Sequence, residues 1–147
     1  MNVFGHLTLS AALLSLAGCA TIPKESAAQV VIAVQTEAII NRIEFRTEDG
    51  FPFTVAGVPE GTTVFRYYLQ PGSYCLAEYV MGGIDAGRVF QTRTPVCLTL
   101  VTGNVAMLRL SFSAQGDVAS DRDDTAVQAA LDDPTVQKIV GYAGVKR

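Results

Sequence analysis

Cys75 and Cys97 stand 22 residues apart in a chain of 147 residues, and a hairpin centred on residue 86 would set them opposite each other on neighbouring strands. The segment Gly82-Gly83-Ile84-Asp85-Ala86-Gly87 supplies a loop near that centre. A disulfide is the expected bond, because Met1 to Gly18 read as an export leader and oxidising compartments favour it. Two buried free thiols are the alternative, and a redox role lacks the C-x-x-C spacing that lowers one thiol's pKa. Asp117, Asp121, Asp123 and Asp124, with Arg122 among them, could gather oxygen ligands around calcium. The central glycine and twelfth-position glutamate of an EF-hand loop are missing, so a solvated loop with one helix-capping aspartate is the better expectation. Nothing calls for a metal or another cofactor. The single histidine, His6, falls in the leader, which leaves the mature chain without an imidazole for general-base catalysis or zinc ligation. Catalysis would need paired carboxylates in a cleft, and no two acids are marked for that role, so no enzyme is expected.

Tyr67, Tyr68, Tyr74 and Tyr79 crowd two successive strands, and alternating parity means that they cannot all point inward. One reading puts one face in the core and the other beneath a terminal helix. The other is an exposed patch of Tyr67, Tyr68 and Tyr79 for a protein partner or a sugar. Arg66, Arg88, Arg93 and Arg109 are expected to pair at the surface with acids such as Glu44 and Glu78, each pair contributing little.

The composition, 49% hydrophobic and 17% charged with a net charge of −3, excludes a disordered chain and a basic nucleic-acid binder. The apolar stretch Leu7 to Leu16 is too short to span a bilayer, and Gln29, Gln35 and Glu37 interrupt the richest later run. Ahead of that stretch the only cationic groups are the amino terminus and, when protonated, His6, where such leaders usually carry Lys or Arg. Leu16-Ala17-Gly18-Cys19 resembles the lipobox of bacterial lipoproteins. That resemblance implies cleavage before Cys19, a lipid on its thiol and acylation of its new amino group. Ala20, in the second mature position, resembles an outer-membrane address. Residues 19–28 then read as a lipidated polar tether.

The elements that would position these groups follow from Gln29 onward, where β-branched or aromatic residues alternate with polar ones between Gly and Pro punctuation. Val30, Ile32 and Val34 share one parity, which predicts a strand, although Ala27 to Asn41 could also form a helix. Ile43, Phe45 and Thr47 make a half-buried strand, Glu48-Asp49-Gly50 turns the chain, and Pro52 confines the next piece to a sheet edge or a loop. Gln70-Pro71-Gly72 predicts a hairpin between Thr62–Leu69 and Ser73–Met81. Arg88 to Thr92 and Val96 to Val101 follow with a kink at Pro95, and Val105 to Ser113 follows the turn Thr102-Gly103-Asn104. The expected fold is mainly β: a small antiparallel sandwich of about seven strands over 29–115.

Residues 116–147 are expected as an acidic loop, Asp117 to Asp124, and two short helices, Thr125 to Leu131 and Pro134 to Val140. Asp133 would cap the second, which Gly141 ends. Leu131, Val136, Ile139 and Val140 are expected to cover apolar surface on the sandwich. Leu69-Gln70-Pro71-Gly72-Ser73-Tyr74 and Val101-Thr102-Gly103-Asn104-Val105 resemble parts of small transthyretin-like and carboxypeptidase-regulatory-like sandwiches of envelope proteins. That likeness carries no functional residue over. The expected function is a lipid-anchored module on the periplasmic face of the outer membrane, docking onto another envelope protein. The alternative is a binder of a small ligand or glycan, or an inhibitor of a periplasmic hydrolase, using loops such as Gly82 to Gly87.

Overall fold

In β1 (Ala28–Thr36) the side chains of Ala28, Val30, Ile32 and Val34 enter the main core, while Val31 and Ala33 are buried on the opposite face. A strand covered on both faces reads as a near-continuous apolar run, which is why this segment also looked helical. The computed structural model describes residues 21–82 and 87–147. The expected leader, Cys19 and most of the loop Gly82 to Gly87 lie outside them.

Two five-stranded sheets form a mainly β sandwich. β1 is central in the first, flanked by β4 (Gly61–Leu69) and β8 (Val105–Phe112), with β10 (Gln137–Ala143) and β9 (Val118–Asp121) at the two edges. The second sheet contains β3 (Pro52–Val58), β2 (Ile40–Arg46) and β5 (Gly72–Met81) in that order. Along the free side of β5 run β7 (Cys97–Leu100), opposite Gly72 to Cys75, and β6 (Arg88–Gln91), opposite Glu78 to Met81. The kink at Pro95 thus separates two strands laid end to end on one partner. Pro52 is at the start of edge strand β3, where a missing donor costs no ladder bond. Ile32, Phe45, Phe65, Leu108 and Leu110 fill the space between the sheets.

Four expectations are corrected. The described residues hold ten strands rather than seven, and the first sheet is mixed: β1 runs parallel to β8 and β10 parallel to β4. Gln70-Pro71-Gly72 does turn the chain, but from one sheet over to the other, because β4 pairs with β1 and β10 whereas β5 pairs with β2, β6 and β7. The two amphipathic strands lie in opposite sheets instead of side by side in one. The tether 19–28 is shorter than expected: Ile22 bridges Val145, its N–H donates to the Gly144 carbonyl at 3.0 Å, and Ala27 and Ala28 are buried.

The C-terminal segment also departs from expectation. The first expected helix is present as α1 (Asp124–Asp132), capped by Asp123, whose carboxylate accepts from the Thr125 N–H at 2.9 Å. The second is not a helix. Asp133 accepts from both the N–H and the hydroxyl of Thr135, at 2.8 and 2.7 Å, which closes a turn and holds its carboxyl below the usual aspartate range. Residues 137–143 then lie along β4 as β10. Seven residues of helix are marginal in water, whereas the same residues as a strand satisfy a row of backbone groups on an open sheet edge.

α1 therefore belongs to a crossover from edge strand β9 to edge strand β10, over the outer face of the mixed sheet. Val127 is fully buried there on Val31, Ala33 and Val64, with Ala130, Leu131 and Val136 around it. Ile139 packs on the main core, and Val140 is exposed.

Gly141 of β10 sits opposite Tyr67 of β4, and a Cβ there would stand 2.2 Å from the tyrosine ring. Gly141→Ala should lower stability by about 1–3 kcal/mol, the usual scale of overpacking. Thermal denaturation checks this; an unchanged melting temperature would mean that the Tyr67 ring relocates without cost.

Candidate interaction surface

Cys75 and Cys97 face each other in the β5/β7 ladder and form a disulfide with a Cα–Cα distance of 4.0 Å. The bond fastens the four-residue β7 to the long β5 at a half-buried position. Its surroundings are structural, with Leu76, Val96 and Leu98 beside it in the core.

The four tyrosines separate. Tyr79 is only 2% exposed: its ring stacks on Phe90 at 5.4 Å and meets Phe112 edge-on at 4.9 Å, and its hydroxyl donates to the Gly116 carbonyl. Burial pushes its pKa up, and the nearby Asp117 carboxylate adds to the rise. Tyr79 is therefore removed from the expected partner patch. Tyr67 is half-buried at the margin between the sheets, edge-on to Phe53 at 4.7 Å. Tyr74 lies in the core and donates to the Gln70 carbonyl at 2.8 Å.

Only Tyr68 takes part in a surface cluster. It stacks on Tyr142, its register partner on β10, at 5.0 Å, with the Lys24 ammonium 4.6 Å from its ring centre. Arg147 lies 5.8 Å from the Tyr142 ring. The sequence does not mark Tyr142 for this cluster, because it follows Gly141, which reads as the end of a helix. The β-branched residues Val136, Ile139 and Val140 before it were the available signal for a strand.

The acids of the expected loop have separate uses. Asp121, on β9, approaches Arg109 at 4.0 Å and accepts from the Asp123 N–H at 2.8 Å; Asp123 caps α1. Among the described residues no group of three or more potential ligands is placed to hold a metal. Glu78 and Glu44 do form ion pairs, with Arg42 and Arg46 respectively, while Arg66 donates to the Gln29 side chain at 3.1 Å.

A cleft of about 570 Å³ opens at one edge of the sandwich, between β6 with the segment after it and the turn leading into β9. Tyr79 and Phe90 form its apolar floor, and Gln91, Thr94, Gln115 and Ser120 line it with hydrogen-bonding groups beside Arg93 and Asp117. Gly116 is required in it: its φ is +92°, and a Cβ would stand 2.2 Å from the Phe90 ring. The cleft can offer hydrogen bonds and one charge of each sign. The comparisons add no relative, since no protein-family model, curated protein or solved structure matches this chain.

Proposed function

We propose that the protein is a lipoprotein of the bacterial envelope, anchored through Cys19 to the periplasmic face of the outer membrane, and that it serves as a docking module for another envelope protein. The carrying observation is the attachment of Ile22 to Gly144 and Val145. With Ile22 built into the fold, an anchor at Cys19 would hold the domain directly against its membrane, and a second or third acyl chain would make the attachment essentially permanent. Among the described residues nothing pairs with the outer edge of β10, seven residues long with Val140 exposed beside it, which suits an added strand from a partner.

The edge cleft supports a second reading, a binder of a small polar ligand such as a glycan. Its volume lies in the range of ligand pockets, and a rim of amide and hydroxyl groups suits a ligand rich in hydroxyls. Pull-down from solubilised membranes tests between them: a stoichiometric protein favours the docking module, its absence the ligand binder. Cys19→Ser is expected to release the protein from membranes or leave its leader uncut. If the variant still sediments with membranes and is cut at the same place, the anchor is elsewhere.

A further inference from the structure

The strand registers bring one set of loops to the end of the sandwich where the chain enters. Ala28, Leu69 and Ala143 are aligned there in the mixed sheet, and Gly72 pairs with Leu100 in the other. The loops are tied together: Thr102 donates to the Ser26 carbonyl at 3.1 Å, and the Gln70 amide donates to the Gly144 carbonyl at 3.4 Å. Phe51 and Gln70 line one shallow cavity at the same end.

Large apolar side chains are exposed at this end. Phe51 is 61% exposed, Val101 52% and Val105 44%. Beside them lies the Tyr68–Tyr142 stack with Lys24 and Arg147 over its rings. Apolar residues in the outermost loops, with tyrosines and long cationic side chains around them, are what the water–lipid boundary accepts.

We infer that this end of the sandwich is a membrane-contact surface, seated in the headgroup layer of the bilayer that carries the Cys19 anchor. The inference rests on the proposed lipidation. Three residue steps separate Cys19 from Ile22, a reach of at most about 11 Å. The anchor thus leaves the opposite end facing away and presents this one to the lipid. The charges fit a layer of both signs: Lys24, Lys146 and Arg147 on the tyrosine side suit phosphates, while Glu48 and Asp49 beside Phe51 suit the ammonium of phosphatidylethanolamine. Glu25, next to Lys24, keeps the surface from being purely cationic. Such a contact orients the module, with the β5–β6 end pointing into the aqueous space.

The chain contains no tryptophan, so one introduced residue reports alone. Phe51→Trp would place the fluorophore in the contact. Val89→Trp, at a position 60% exposed near the other end of β5, would place it in water. Both full-length variants, processed in cells, are reconstituted into phosphatidylethanolamine–phosphatidylglycerol vesicles, with and without bromine on the acyl chains. Phe51→Trp is expected to emit at shorter wavelength than Val89→Trp and to lose intensity in the brominated vesicles, while Val89→Trp keeps its intensity. The same intensity for Phe51→Trp in both vesicles, or equal losses for both variants, overturns the contact. Whole-protein mass reads the anchor separately. An acylated chain with unquenched Phe51→Trp sinks the contact and leaves the anchor standing, whereas an unacylated chain sinks the anchor and with it the premise of the contact.

Discussion

Ending the chain after Asp123 should abolish its cooperative thermal unfolding. The cut removes α1 and β10, which uncovers Val31, Ala33 and Val64 on the outer face of the mixed sheet and leaves β4 as a bare edge. Val127 is fully buried, and Leu131, Val136 and Ile139 are partly buried. Val127 counts for about 1.5–3 kcal/mol, and the three partly buried side chains with the uncovered Val31 and Val64 bring the loss to about 5 kcal/mol. Domains of this size are stable by only about 5–15 kcal/mol, so the truncated chain is left with little or nothing. The Ile22–Val145 bridge goes as well, freeing the N-terminal segment. Circular dichroism and calorimetry check the result. A truncated chain that melts where the full chain does would mean that the segment is a detachable tail rather than part of the fold. Val127→Asp separates burial from chain length, since it should destabilise strongly with the backbone intact.

Replacing both Cys75 and Cys97 by alanine should cost about 3 kcal/mol, the loop-entropy contribution of a cross-link spanning 22 residues. For a domain of this length that is a fall of about 10 °C in melting temperature. The effect should concentrate on β7, a four-residue strand whose ladder among the described residues is with β5 alone, and on the segment that joins it to β6. Amide exchange should therefore quicken from Thr92 to Leu100 before it does in β1. The intact protein melted in reductant should match the double variant. If the double variant melts with the oxidised wild type, the disulfide fastens a segment that its core contacts already hold.

Several features were legible in the residues because they depend on near neighbours. The parity of Val30, Ile32 and Val34 gave a buried face, and Pro52 marked an edge. One aspartate of the acidic stretch was expected to cap a helix, which Asp123 does, and Cys75 and Cys97 were placed symmetrically about one turn. In each case the determining interaction is a pleat, a cap or a tight turn, reaching only a few residues or following from a hairpin's symmetry.

What only the tertiary structure decided is which element lies beside which. Gln70-Pro71-Gly72 reads the same whether β5 folds back beside β4 or crosses to the other sheet, since both need a turn and an apolar face. Val136 to Val140 read as a helical stripe until the open edge of β4 offered hydrogen bonds to a strand there. Tyr79 could be assigned to the core and Tyr68 to the surface only once their two sheets were known to differ. Likewise, Lys24 and Tyr142 lie far apart in the chain and meet only because β10 runs parallel to β4 and brings its end to the entry point of the fold. Pairing energy comes from contacts distant in sequence, so the local pattern set the faces and turns while the competition for open edges and uncovered surface chose the partners.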